Sequence, residues 1–284
     1  PEPIGHEVNG STRWINFVFF KFQPSELMKL SMILFMAGFL IRQEKDVRKP
    51  WKGFVKTLAI IFIADILVVL ETDIGATLII SMTAMAMLFA AGTYLKQLAY
   101  FIPGAIITTS IIVYFEQNRF LRVMEYLTDP SQVHQTWQAL IGIARGGWFG
   151  TGLGGGIQKY TLLPEPQTDM IFAIIGEELG VLGMLFVLLS YAYILGKGFN
   201  IAKIALKKGR KYSSYVAFGI CTWFAMQVTV NIGVNLGLLP VTGFTLPLIS
   251  YGGSSLIISI ISLAILLRVD MESRTNYSKQ IKYV

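Results

Sequence analysis

The chain has 284 residues, 54% of them hydrophobic and only 14% charged, with a mean hydropathy of +0.58. That balance excludes a water-soluble domain of this length and indicates an integral membrane protein. The formal net charge of +7 comes without an arginine–aromatic cluster, so it reads as loop orientation at a membrane and not as nucleic-acid binding.

The fold class expected is all-α, a polytopic transmembrane helix bundle forming a single domain over residues 1–284. Apolar runs of the length a bilayer demands of a helix fall near 25–41, 53–70, 74–92, 97–115, 169–196, 212–236 and 246–268, about seven spans. Glu71 to Asp73 leaves only a tight turn between the second and the third. The one cysteine, Cys221, lies inside the sixth run; it excludes an internal disulfide and reads as a small core residue.

Lysine and arginine set the orientation. Arg42, Lys45, Arg48, Lys49 and Lys52 crowd one loop and Lys197, Lys203, Lys207, Lys208, Arg210 and Lys211 another, which places both loops in the cytoplasm. Alternation then puts the Glu71 turn, the long segment 116–168 and the uncharged GLLPVTGFT connection outside, and the basic tail after Arg268 inside. The first residues also fall outside, although no signal peptide precedes them and the chain starts at Pro1, so an odd number of upstream spans is expected to be missing.

The external segment is longer than an ordinary connection and is therefore expected to be functional. It holds an expected amphipathic helix at the membrane edge near 132–144, then the run RGGWFGTGLGGGIQKY. Those glycines follow no βαβ unit, so they read as turns bringing backbone close to a membrane or a ligand, and not as a dinucleotide fingerprint.

The acidic residues in LPEPQTDMIFAIIGEELG raise the main chemical question. Thr168 is an expected N-cap with Asp169 in the first helical turn, where a carboxylate is either simply favoured by the helix dipole or placed for chemistry. Glu177 would lie on the order of 12 Å deeper along a continuous helix. There a carboxylate needs a partner, a polar cavity or a proton. In QPSELMK, Glu26 and Lys29 stand i, i+3 on one face, with Asp65 of the returning span as a second expected partner for Lys29. Arg13 with Trp14 precedes the first span, and Arg119 with Arg122 opens the long segment; paired arginines suit either a diphosphate or lipid headgroups. His6 and His134 are isolated and no spacing resembles a zinc site. A divalent cation, magnesium or manganese, held by Asp169 and phosphate oxygens is left open.

QPSELMKL, the LTDP after two arginines, GGWFGTGLGGGIQKYTLLPEPQTDMIFAIIGEELG and GLLPVTGFTLPLISYGGSSL together resemble the SEDS family (shape, elongation, division and sporulation). The likeness runs from about Val8 to Arg274, and the SYGGSSL wording and LLRVDMESR tail lean toward its division branch. Met170 in place of a usual Phe, and ETDIG in place of a common QPDLG, depart from the pattern. The resemblance implies ten spans, of which these would be the last seven, in the cytoplasmic (inner) membrane. It also implies a peptidoglycan glycosyltransferase that polymerises lipid II into a nascent glycan strand on the outer face. Its implied partner is a class B penicillin-binding protein acting as transpeptidase, with other division proteins. Carried onto this sequence, the essential aspartate is Asp169, the glutamate and lysine of the QPSE segment are Glu26 and Lys29, and the RW pair is Arg13 and Trp14. Arg119 and Arg122 would face the departing diphosphate, and Glu165 and Gln138 are further expected substrate contacts. A lipid II flippase and a non-catalytic division scaffold are the rival readings.

Overall fold

The computed structural model describes residues 5–8, 11–16, 21–47, 51–71, 73–93, 134–161 and 163–274, with a few single positions between 96 and 124. The expected fourth span, 97–115, lies almost wholly outside the described residues, as do Arg119 and Arg122.

One departure from the all-α expectation comes first in the chain. Strands β1 (Gly5–Val8), β2 (Ser11–Asn16) and β3 (Lys21–Phe22) form an antiparallel three-stranded sheet in the order β1-β2-β3, pairing His6 with Trp14 and Ile15 with Phe22. An Asn-Gly pair, the strongest short hairpin signal, separates the first two strands in the sequence at Asn9 and Gly10.

The other elements are helices: α1 (Pro24–Arg42), α2 (Glu44–Val47), α3 (Lys52–Leu70), α4 (Ile74–Ala90), α5 (His134–Gly146), α6 (Gln158–Thr161), α7 (Ile171–Lys207), α8 (Lys211–Asn235) and α9 (Gly253–Arg274). Pro24 opens α1, where its missing N–H has no helical partner to lose, and Glu26 in the first turn and Arg42 in the last complement the helix dipole. Asp73 caps α4 by accepting from the Ala76 N–H at 3.0 Å. Among the described residues four helices, α1, α7, α8 and α9, are long and apolar enough to cross a membrane, and Gly75–Ala90 is a shorter apolar helix. Large apolar side chains such as Phe62 and Ile63 on α3, Phe186 and Leu189 on α7 and Leu267 on α9 stand exposed, as a lipid-facing surface requires.

Two expected spans are altered. The seventh was expected from residue 246, but α9 begins at Gly253: Leu246 N–H donates to Ser250 Oγ at 2.6 Å and Ser250 N–H returns to the Leu246 carbonyl at 2.9 Å, so this stretch is spent in a turn. The fifth, α7, is not continuous. Gly180 sits at φ 67°, ψ −165°, splitting off the piece 171–179 from the run that begins at Val181. From Val181 to Lys207 the remaining run measures about 40 Å at 1.5 Å per residue, enough by itself to cross a bilayer.

The chain divides into two compact units. The first holds α1 to α4, α7 from Ile194, α8 to Phe224, and α9. Its core is built on Met36, Leu40, Ile79, Ile80, Met87, Leu88, Ile220 and Trp223. The second holds α5, α6, α7 to Tyr193, and 225–252. In that unit Ala139, Met170, Ala173 and Val234 make one apolar cluster, and Phe172, Met184, Tyr191, Val228 and Leu246 make another.

Candidate active site

Asp169 lies in the turn that precedes α7 and is 7% exposed. Its Oδ1 accepts from Thr168 Oγ1 at 3.2 Å and its Oδ2 from Gln135 Nε2 at 3.4 Å. Thr168 is not the helix cap expected of it, because its hydroxyl is turned to the Asp169 carboxylate and the Glu165 carbonyl, the latter at 3.1 Å. The capping comes from another helix: Asn235 Oδ1, on α8, accepts from the Ala173 N–H in the first turn of α7 at 2.9 Å.

The backbone before α7 is fixed one carbonyl at a time. Gln167 accepts from the Tyr251 N–H at 2.8 Å and Thr168 from the Ser250 hydroxyl. Asp169 itself accepts from both Asn231 Nδ2 and Asn235 Nδ2 at 2.8 Å. Asn231 Nδ2 also donates to the Phe244 carbonyl at 2.6 Å, which ties the same clamp to the connection before α9. Three successive main-chain groups therefore hold one carboxylate in place, the kind of support a reacting group needs. Neither asparagine was singled out from the sequence; the available signal was a pair of amides spaced i, i+4 within an apolar span.

Burial pushes the Asp169 carboxyl up from 3.8 to about 6; hydrogen bonds from its own N–H, Thr168 and Gln135 pull it down, while the neighbouring Glu165 charge adds to the rise. Glu165 is exposed, with a positive φ of 48° at the start of this turn. Gln138 lies half-buried on α5, one turn on from Gln135, and it is Gln135 whose side chain reaches Asp169. Among the described residues no three His, Cys, Asp or Glu side chains gather as a metal site, so a cation at Asp169 would depend on ligands from elsewhere.

The deeper glutamates hold a loop. At the Gly180 break, the N–H groups of Val181 and Leu182 lose their helical acceptors, the carbonyls of Glu177 and Glu178. The glycine-rich loop replaces both halves of each bond: Val181 donates to Gly147 at 2.9 Å and Leu182 to Trp148 at 3.3 Å. In turn Glu177 accepts from Thr151 N–H at 2.9 Å and Glu178 from Gly152 N–H at 3.0 Å. Only glycine permits this approach, since a Cβ on Gly150 would stand 2.1 Å from the Glu178 carbonyl oxygen and one on Gly180 2.5 Å from Gly150 N. The glycines thus bring backbone to backbone, where the sequence suggested a membrane or a ligand. The Glu177 side chain, fully buried, accepts from the Ile157 N–H at 2.9 Å and the Gln158 N–H at 3.2 Å, with Arg145 Nη1 at 3.5 Å. Glu178 accepts from Gly154 N–H at 3.0 Å and pairs with Lys159 at 2.5 Å.

In the first unit Glu26 and Lys29 pair at 2.8 Å, with the ammonium 5.1 Å from the Trp223 ring centroid. Asp65, the expected second partner of Lys29, instead accepts from Ser81 Oγ on α4. The polar centre the sequence reading missed is Asp73. Its Oδ2 accepts from Gln23 Nε2 at 3.1 Å and Ser25 Oγ at 2.8 Å, tying the QPSE segment to the cap of α4. Arg13 and Trp14 lie on β2.

Comparison with known proteins gives this geometry a family. The profile of the cell cycle protein family that groups FtsW, RodA and SpoVE matches residues 2–275. A probable peptidoglycan glycosyltransferase FtsW of Legionella pneumophila is 44% identical over 95% of this chain and 70% of its own length. One of the same description from Tolumonas auensis is 41% identical over 98% of this chain and 74% of its own. Among solved structures, one described as coordinating polymerization and crosslinking in a peptidoglycan synthase complex aligns with a TM-score of 0.78, 27% identity, and coverage of 96% of this chain and 77% of that one. The crystal structure of the rod shape determining protein RodA of Thermus thermophilus aligns with a TM-score of 0.64, 27% identity, and coverage of 96% and 73%. The chain spans about 70% of the length of the curated relatives it matches and belongs to the SEDS family of multi-pass membrane proteins.

Proposed function

We propose that the chain is a peptidoglycan glycosyltransferase of the division type, polymerising lipid II into β-1,4-linked glycan on the outer face of the cytoplasmic membrane, with Asp169 as general base. The observation that carries the reading is Asp169: a carboxylate withdrawn from water, set by burial to about 6, on a backbone clamped at 167, 168 and 169. Near neutral pH such a group is mostly ionised yet retains real proton affinity, which is what proton removal in a transition state requires. The names of the similar proteins from Legionella pneumophila and Tolumonas auensis point the same way.

The α-linked diphosphate donor and the β-linked product call for inversion at the anomeric carbon, so one in-line displacement suffices. The acceptor 4-hydroxyl oxygen bonds to that carbon as Asp169 takes its proton. The bond to the diphosphate oxygen breaks with its electron pair leaving on the diphosphate. Arg119 and Arg122 are the proposed cations for that charge, since a guanidinium fork matches phosphate oxygens. Gln135 bonds the carboxylate and Glu165 lies near it, and these, with Gln138, are proposed substrate contacts; Arg13, Trp14, Glu26 and Lys29 are proposed as further substrate-binding residues. The basic loops at 42–52 and 197–211 support a topology with Asp169 on the outer face, where the lipid tail would stay in the bilayer. A class B penicillin-binding protein is the proposed partner, in keeping with the synthase complex named for one structural relative.

The flippase reading rests on intramembrane charges such as Glu177, and Glu177 is engaged by two backbone amides. The test is reconstitution of the full-length protein with its transpeptidase and purified lipid II, followed by gel analysis of glycan. Polymer from wild type and none from Asp169→Asn is expected; lipid movement across the bilayer without polymer overturns the assignment.

A further inference from the structure

The piece of α7 at 171–179 has two anchored ends. At its start, Asn235 holds the Ala173 N–H and, with Asn231, the Asp169 carbonyl. At its end, the helix has been opened at Gly180 and the strip 147–152 inserted between its halves. Nothing local to α7 demands that break. A continuous helix would regain the bonds from Val181 to Glu177 and from Leu182 to Glu178 without help, and Gly180 is free to adopt helical angles. The inserted strip bonds both halves of α7 through its backbone, and the chain that follows it, 154–159, is held by the side chains of Glu177 and Glu178. The more deeply buried of these carboxylates is Glu177: it is fully buried, and its two oxygens accept from consecutive N–H groups at the start of α6, with Arg145 approaching from the exposed side. Charge-assisted bonds of this kind, out of water, are the strong ones.

We propose that Glu177 is a positioning residue for the reaction at Asp169: its carboxylate latches the 147–158 loop into the opened helix, and the rigid piece 171–179 transmits that latch to the carboxylate at its other end. Glu177 itself touches no substrate. Withdrawal of the loop lets the helix close through Gly180, which changes the direction of 171–179 relative to the run after Val181 and carries Asp169 out of its clamp. The proposal rests on the reading of Asp169 as the base.

The test uses the full-length protein with its transpeptidase partner and lipid II, and reads two quantities. Glu177→Gln keeps size and shape but turns one acceptor into an NH2 that faces a backbone N–H. The expected result is a fall in kcat of about 10- to 100-fold, the scale of a reacting group displaced by about an ångström, with KM for lipid II within about twofold of wild type. Hydrogen exchange is expected to quicken at the amides of Thr151, Gly152, Val181 and Leu182 while those of α9 stay as in wild type. Arg145→Gln, at the half-exposed end of the latch, is expected to give a smaller change in the same direction on both measures and covers the case of a Glu177 variant that does not fold. Faster exchange with unchanged kcat overturns the positioning role, and unchanged exchange overturns the latch. An equal rise in KM with kcat intact also overturns it, since that is the mark of a group that merely binds. Asp169→Asn is run alongside: normal polymer from it overturns the base assignment and the positioning role together, while the exchange result still reports the state of the splice.

Discussion

Asn235 grips both sides of the peptide run it faces, donating from Nδ2 to the Asp169 carbonyl at 2.8 Å and accepting at Oδ1 from the Ala173 N–H at 2.9 Å. One amide therefore fixes the residue proposed to react and the helix that starts behind it. Asn235→Ala strips both bonds from buried groups and should cost roughly 1–3 kcal/mol for the polar atoms left unsatisfied. Asn235→Asp should be worse, because the oxygen replacing Nδ2 would press on the Asp169 carbonyl. Thermal unfolding in detergent, with glycan synthesis measured in parallel, checks the order wild type, alanine, aspartate; an aspartate variant as stable and active as wild type would contradict the clamp.

The pH behaviour of Asp169 follows from its burial. A folded-state value near 6 against an ordinary 3.8 means that the folded protein binds this proton more tightly than the unfolded chain. Stability from this group is present below about pH 4 and is lost as pH rises through 6, so at neutral pH the ionised form strains the fold by on the order of 2–3 kcal/mol. Asp169→Asn is therefore expected to be more stable than wild type at pH 7.5, with the advantage gone near pH 4. Polymerisation, which needs the ionised form, should rise with pH along a limb centred near 6. Melting curves across pH and rates of glycan synthesis measure the two sides; a variant that melts below wild type at pH 7.5 would count against a carboxylate held at the expense of stability.

How far the sequence disclosed this fold differs from element to element. The apolar runs gave α1, α3, α4 and α8 to within about two residues, because a membrane helix is announced by length and hydropathy alone. The break in α7 was hidden for the same reason: one glycine in an apolar run reads as a tolerated small residue, and what opens the helix is a loop thirty positions upstream. The only sequence signal for the sheet is the Asn9–Gly10 pair, a hairpin turn in a chain whose composition otherwise speaks for membrane helices. Asp169 was legible from its place at the mouth of a span and from family resemblance. Its supports were less so, since Asn231 and Asn235 are ordinary polar interruptions until α8 is seen to face it. The choice between Gln135 and Gln138 depends on the phase of α5, whose buried face runs through Thr136, Ala139, Gly142 and Gly146.

The glycine splice makes a sharp prediction about volume. At Gly150 a methyl group meets the Glu178 carbonyl oxygen at 2.1 Å, and φ is +78° besides, so Gly150→Ala is both crowded and strained. At Gly147, φ is +52° but a Cβ would meet nothing within 4 Å. Gly150→Ala should therefore destabilise by several kcal/mol and Gly147→Ala by about 1 kcal/mol, the ordinary cost of a left-handed residue. Comparing the two in the same unfolding assay separates close approach from conformation, and equal losses would mean that the loop does not lie against Glu178.

Asp73 offers the matching test in the first unit. Its Oδ1 caps α4 and its Oδ2 accepts from Gln23 and Ser25, so one carboxylate joins the start of α4 to the start of α1. Asp73→Ala loses the cap and leaves two donors without their acceptor, an expected loss of about 2 kcal/mol or more. Asp73→Asn retains an oxygen for the Ala76 N–H, and the Ser25 hydroxyl can rotate to accept from the new NH2. The Gln23 NH2 loses its acceptor, so this variant should recover only part of that loss. If Asp73 served only as a cap, Ser25→Ala would be neutral; if it joins the two helices, Ser25→Ala should cost about 1 kcal/mol in wild type and almost nothing in Asp73→Ala. A double-mutant cycle on unfolding free energy decides between them, because only a shared interaction makes the two losses fail to add.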